Sequence, residues 1–249
     1  MSQDPIIKTE DVLLVTNALT KTYPSGFKLG PLNLRVNKGE TLGLVGKNGA
    51  GKTTTFQLLT GNTDTSSGEV RLLGQKMTPD SAELKRMIGY LPQDPTLPPW
   101  SSGYEVLIYA AKLYGISSPQ AAVKSQMELW DCASYGSKPL ATLSYGMQKR
   151  VGLALATLHS PPLLILDEPF SGLDLTHIKT LESAIAARAT NGQATILSTH
   201  VLSFCARLCH QVQVLTHGSL TIVEPWQSIG LQEREAAIEV CFFGEGAKP

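Results

Sequence analysis

The sequence predicts an α/β fold: a mixed, mostly parallel sheet covered on both faces, with an N-terminal antiparallel β subdomain and an inserted helical subdomain. Three observations carry this expectation. Apolar runs without clean alternation, Thr41–Val45, Leu163–Leu166, Thr195–Ser198 and Val212–Leu215, read as strands buried on both faces. Helix-period segments stand between them, and strands interleaved with helices build parallel sheets. The first forty residues carry short apolar pieces separated by turn residues instead.

In chain order, Val12–Leu14, Phe27–Leu29 and Leu32–Val36 read as antiparallel strands, with Gly26 and Gly30–Pro31 as turns. A helix is expected over Lys52–Thr60, after the first buried strand. The stretch from about 97 to 158 opens at Pro98–Pro99 and is almost wholly helical: Tyr104–Tyr114, Pro119–Trp130 and Tyr145–Leu158. Aromatic residues recur at helical spacing in Tyr104–Tyr114, so core packing is expected there. Helices over Asp174–Ala189 and Val201–His210 separate the remaining strands. The reading is one domain over 1–249, with about 1–96 and 159–249 as the α/β core and about 97–158 as the helical subdomain. The tail Gln232–Pro249 carries no readable pattern.

Composition excludes several classes. The 249 residues are 42% hydrophobic and 17% charged, which is globular rather than disordered. Lys+Arg and Asp+Glu are 21 each, so the overall field does not attract nucleic acid, and no nucleic-acid partner is expected. Met1–Glu10 lacks the apolar core of a signal peptide. The longest mostly apolar stretch, Val151–Leu166, is broken by His159, Ser160, Pro161 and Pro162, short of the roughly 20 apolar residues a membrane span needs. Any membrane role then runs through a partner. Four cysteines are too few for a disulfide scaffold, which fits a reducing cytoplasm. Cys205 and Cys209, at i and i+4, read as small buried hydrophobes, or else as metal ligands or a redox pair.

Gly46-Lys47-Asn48-Gly49-Ala50-Gly51-Lys52-Thr53 matches the phosphate-loop pattern G-x-x-x-x-G-K-[ST] between a buried strand and a helix. Glycines let successive backbone N–H groups turn inward toward phosphate oxygens, and the helix start adds the positive end of its dipole. Lys52 is expected to reach the β- and γ-phosphates and Thr53 to ligate Mg²⁺, with Thr54 beside it as a further nucleotide contact. This predicts a P-loop NTPase core. Leu163-Leu164-Ile165-Leu166-Asp167-Glu168-Pro169 is a buried strand ending in two carboxylates. Asp167 is the candidate second metal contact, and Glu168 the candidate that polarises a water toward the γ-phosphate.

Leu143-Ser144-Tyr145-Gly146-Met147-Gln148 lies just ahead of Asp167-Glu168 and resembles the signature LSGGQ. With these motifs in this order, roughly Leu13 to Val223 is similar to the nucleotide-binding subunit of ATP-binding-cassette (ABC) transporters. Tyr145 stands where that family has glycine and Met147 where it has glutamine. The LSxGM form is similar to the export-type branch. The resemblance implies ATP and Mg²⁺ as cofactors and a dimer, of identical or paired cassettes, that forms on ATP. Ser144 and Gly146 would then meet the γ-phosphate of the opposite subunit in trans. It also implies that Gln93, in Tyr90-Leu91-Pro92-Gln93, bridges the metal site and the membrane-facing helical lobe. Ser171-Gly172-Leu173-Asp174 matches the loop crossing the dimer interface, His200 the histidine that donates to the γ-phosphate, and Tyr23 the ring that stacks on adenine. As a residue alone, Tyr23 also reads as an ordinary turn tyrosine. His159, His177, His210 and His217 match no motif and read as surface or core residues.

The expected function is therefore an ATP-hydrolysing motor at the cytoplasmic face of a membrane, held there by integral permease subunits that contact part of Asp94–Val106. The alternative is a soluble single-cassette ATPase, such as one serving iron–sulfur cluster assembly. A cassette that binds ATP without turnover is disfavoured by Lys52, Asp167, Glu168 and His200. A small-molecule kinase leaves Leu143–Gln148 and His200 unexplained.

Overall fold

A computed structural model describes residues 11–243. The expectations for Met1–Glu10, and for the tail beyond 243, lie outside the described residues. The core is a six-stranded sheet built from β4 (Thr41–Gly46), β7 (Ile88–Leu91), β8 (Leu163–Asp167), β9 (Ala194–Thr199), β10 (Gln211–Thr216) and β11 (Ser219–Ile222). Their spatial order is β11-β10-β4-β9-β8-β7, all parallel except the β10–β11 hairpin at the edge. Successive side chains leave the sheet on opposite faces. Leu163, Ile165 and Ile196 enter one apolar cluster, and Leu164, Leu166 and Leu197 the other. Both faces are buried, so these runs do not alternate in polarity. The mixed, mostly parallel architecture is as expected, and each of the four strands read from sequence is found with its ends moved by at most one residue.

The second sheet differs from the expectation in detail. It holds β1 (Val12–Thr22), β2 (Lys28–Leu32), β3 (Arg35–Asn37), β5 (Ser67–Leu72) and β6 (Gln75–Lys76), paired antiparallel. The first strand runs eleven residues, not three, because β5 pairs along one edge while β3 and β2 pair successively along the other. Its polar residues Thr16, Asn17 and Thr20 were no obstacle, since strand propensity reflects fit to a pleated surface more than apolarity. Gly26 does serve a turn, donating to the Tyr23 carbonyl at 3.0 Å. Gly30–Pro31 does not: both residues lie inside β2. Gly30 has φ +99°, and any Cβ there would run into the Leu19 carbonyl. The dipeptide therefore marks a close approach within an edge strand, where proline is tolerated.

Helices α1 (Lys52–Leu59), α2 (Ala82–Lys85), α6 (Leu175–Thr190), α7 (Leu202–Leu208) and α8 (Leu231–Phe243) accompany the core strands. Between β7 and β8 stand only helices: α3 (Gly103–Leu113), α4 (Pro119–Leu129), α5 (Tyr145–Thr157) and two short 3₁₀ turns. Ser102 caps α3 through a reciprocal capping box with Glu105. The expected core role of the α3 tyrosines is corrected. Gly103, Leu107, Ala110 and Ala111 form the buried face, which leaves Tyr104 and Tyr109 42% and 71% exposed on the other side. The expectation holds for Leu107, which is buried, and for Tyr114 just past the helix, which packs against the core; Tyr104 and Tyr109 are excluded from the stripe because glycine and alanine share it with Leu107. No helix among the described residues is long and apolar enough to cross a membrane.

Candidate active site

The phosphate loop leaves β4 at Gly46 and enters α1 at Lys52, with Gly51 as the N-cap residue at φ +110°. That left-handed backbone excludes most side chains, and a Cβ at Gly51 would lie 2.7 Å from Leu29 Cδ1. Lys52 is buried and folds back over its own loop, donating to the carbonyls of Gly46 at 2.6 Å and Lys47 at 3.3 Å. Its ammonium also stands 3.9 Å from Glu168 Oε1. Thr53 Oγ1 donates to Asp167 Oδ2 at 2.7 Å, which links the loop to the end of β8.

Parallel register brings the rest of the site to the same sheet edge. β8 and β9 pair Asp167 with Ser198. The Ser198 hydroxyl donates to Asp167 Oδ1 at 2.6 Å and accepts from the Glu168 N–H at 3.0 Å. Sequence reasoning missed Ser198, although a serine in an otherwise apolar buried strand was a legible signal. Glu168 adopts φ +46°, a left-handed conformation that costs a non-glycine residue on the order of 1–3 kcal/mol. Its Oε2 accepts from His200 Nδ1 at 2.9 Å, while its buried Oε1 has no hydrogen-bond partner.

Two adjoining cavities of about 380 Å³ each collect these groups. Asn48, Gly49, Gly51, Lys52, Thr53 and Thr54 line the first. Gly46, Asn48, Glu168 and His200 line the second. Gln93 lines both. Ala50 borders a third, larger space beside them. Phe242, from the end of α8, reaches the second cavity with its ring 5.7 Å from Lys47 Nζ. Nothing in the sequence announced that residue, because α8 has no strongly apolar stripe to show that it packs back on the core.

Other expected site residues lie elsewhere. Tyr23 borders neither cavity. It tilts against Phe27, whose ring centroid is 6.3 Å away, and Phe27 is the aromatic that lines the first cavity. Ser144 caps α5, accepting from the Met147 N–H at 3.3 Å, and stands exposed away from its own phosphate loop. Gly146 packs so tightly on the Gly172 carbonyl that no Cβ fits between them. Asp174 caps α6, accepting from the His177 N–H at 3.0 Å and the His177 ring at 2.7 Å. The backbone N–H of His177, ahead of its ring, holds the Asp174 carboxyl below its ordinary range. His177 also meets Arg150 of α5 at 2.7 Å, which joins this loop to the helix that Ser144 caps.

Lys149, on α5, is fully buried. Burial pushes its ammonium down to about 8, against the pull of Asp167, Asp94 and Glu168. Cys205 and Cys209 pack on Gly43, where a Cβ would meet both sulfurs at 2.9 Å, so they are core residues. Among the described residues no three His, Cys, Asp or Glu side chains gather as a metal cage. The Thr53 hydroxyl and Asp167 carboxylate are instead hard oxygen donors beside a phosphate loop, a set that fits Mg²⁺ shared with a nucleotide.

The ABC transporter family model matches residues 29–171. The chain is 35% identical over 225 residues to the uncharacterized ABC transporter ATP-binding protein YxlF of Bacillus subtilis, covering 89% of this chain and 74% of that one. It is 34% identical over 231 residues to the bacitracin transport ATP-binding protein BcrA of Bacillus licheniformis, covering 92% and 73%. A solved ATP-binding subunit of an ABC transporter superposes with a TM-score of 0.80 at 27% identity, over 91% of this chain and 99% of that one. A phosphate loop, strand-end carboxylates and a histidine gathered on one sheet edge, together with these likenesses, place the chain in the ABC transporter family as an ATP-binding, ATP-hydrolysing cassette subunit.

Proposed function

We propose that two copies of this cassette, or this copy and a paired one, close head to tail on two ATP molecules and drive export through separate permease subunits. The observation that carries the proposal is a separation within one chain. Lys52, Thr53, Gln93, Glu168 and His200 share adjoining cavities, whereas Ser144 and Gly146 sit on a surface that borders neither. A helix start with a serine cap offers amides and a positive dipole to an anion, and here it can do so for a neighbour's nucleotide.

In this reading the phosphate loop and Lys52 bind the triphosphate. Thr53, Asp167 and Gln93 would hold Mg²⁺, which would neutralise phosphate charge when bound. Glu168 takes the proton of the attacking water through Oε1, which accepts no hydrogen bond, and His200 both orients Glu168 and faces the γ-phosphate. Closure excludes water around the developing charge. Asp174 orders the loop that would cross the interface, and Tyr23 with Phe27 supplies aromatic surface toward the base. Residues of about 97–158 act as the helical subdomain that the permease grips. Trp100, 81% exposed in the segment that follows Gln93, supplies apolar surface suited to that contact. The cassette then works peripherally at the cytoplasmic face of a membrane. The likeness to BcrA, a bacitracin transport ATP-binding protein, supports this over a soluble cluster-assembly ATPase.

The test is complementation. K52M and S144R proteins, each inactive alone, are mixed and assayed for phosphate release under MgATP. Recovery of turnover supports one intact composite pocket per mixed dimer. No recovery at any ratio removes the trans arrangement.

A further inference from the structure

We propose that Tyr145 and Lys149 form a clamp on the Gln93 backbone, making them positioning residues that tie the helix start serving one nucleotide to the loop serving the other. The inference rests on the site reading above, in which Gln93 faces the chain's own nucleotide and Ser144–Gly146 faces the partner's. Tyr145 Oη donates to the Gln93 carbonyl at 2.8 Å, and Lys149 Nζ donates to the same oxygen at 2.8 Å. Lys149 Nζ also lies 3.4 Å from Tyr145 Oη and 5.6 Å from the centre of its ring. Tyr145, which stands where the resembling family has glycine, thus has a partner that glycine could not reach. The two residues are one turn apart on α5 and grip a single acceptor from one side.

The cost of this arrangement points to a role beyond packing. Lys149 is completely buried, and no carboxylate lies within ion-pair distance of its ammonium among the described residues. A core position of that volume is more simply filled by methionine, and replacing buried charge with apolar volume is often neutral or stabilising. What the ammonium adds is a charge-assisted hydrogen bond to one carbonyl, directly ahead of Asp94 and the exposed segment that follows. With the clamp closed, a shift of α5 carries Gln93 with it. With the clamp open, the two move independently.

The experiment uses the full chain and the variants K149M, Y145F, K149Q, Q93A and Q93A/K149M. Hydrogen exchange without nucleotide comes first. K149M is expected to speed exchange of a peptide covering 91–97 while leaving α6 peptides unchanged. Turnover of MgATP should fall about tenfold in K149M with KM within about twofold, and less in Y145F, which keeps one of the two bonds. K149Q retains a donor without charge and should recover part of the loss. In the cycle, K149M should add little to Q93A, because both act through the same residue. A thermal midpoint at or above that of the parent confirms that K149M folds. Unchanged exchange at 91–97, or additive losses in the cycle with Q93A itself impaired, overturns the clamp alone. Q93A with full turnover overturns the site reading and takes the clamp's target with it.

Discussion

The two oxygens of Glu168 face different chemistry. Oε2 accepts from His200 Nδ1 at 2.9 Å, and Oε1, buried and without a hydrogen bond, stands 3.9 Å from Lys52 Nζ. A carboxylate held by one oxygen leaves the other ready to receive a proton from water.

E168Q keeps the shape and the His200 contact but loses the basicity. Turnover is expected to fall by about 10² to 10⁴, the range for a general base, with ATP affinity retained. On size-exclusion chromatography with MgATP the variant should elute as a dimer. Phosphate release at the parent rate excludes Glu168 as the base.

Thr53 connects the phosphate loop to Asp167 through its hydroxyl. T53A removes one hard oxygen donor and should raise the Mg²⁺ concentration for half-maximal turnover about tenfold, a change near 1.4 kcal/mol. Titration of Mg²⁺ at fixed ATP reads this directly. An unshifted midpoint means that the hydroxyl is not a ligand.

His159 stacks on Tyr114 with ring centroids 3.8 Å apart, and burial pushes its pKa down from 6.5 to about 4. The unfolded chain therefore binds the extra proton first as pH falls. Stability contributed by the neutral ring is complete above about 6.5, declines as pH drops toward 4, and levels off below that. Because His159 as a whole is half-buried, although both ring nitrogens are covered, the loss is about 1–2 kcal/mol rather than the full value of the shift. Urea midpoints between pH 7 and pH 4 should slope more steeply in the parent than in H159F.

A Cβ added at Gly43 of β4 would lie 2.9 Å from the sulfurs of both Cys205 and Cys209. Gly43→Ala is expected to lower stability by about 1–3 kcal/mol through overpacking, measured as a fall in Tm. A thiol probe at neutral pH should label the half-buried Cys241 ahead of the buried Cys132, Cys205 and Cys209. Burial raises the pKa of Cys132 to about 11 and leaves little thiolate there.

Much of the core was legible because local chemistry decides it. A buried parallel strand needs a continuous apolar run, so β4, β8, β9 and β10 stood out with near-correct ends. β1 was legible only at Val12–Leu14 and β5 not at all, because their remaining polar residues are strand-competent but not apolar. Gly30–Pro31 misled because composition marks a backbone requirement without saying whether a turn or a close strand approach creates it. The α3 tyrosines misled because the buried stripe of that helix is made of glycine, leucine and alanine.

The sequence by itself determined the phosphate loop, the paired carboxylates at a strand end and the serine-capped helix start. Each depends on residues within a few positions of one another, where backbone geometry follows from spacing. Only the tertiary structure decided that Lys52, Glu168 and His200 meet, that Ser198 fastens two acidic residues, and that Tyr145 and Lys149 share the Gln93 carbonyl. Those contacts depend on strand order, register and the packing of α5 against the sheet. Long-range burial and hydrogen bonding set these, and no local pattern encodes them.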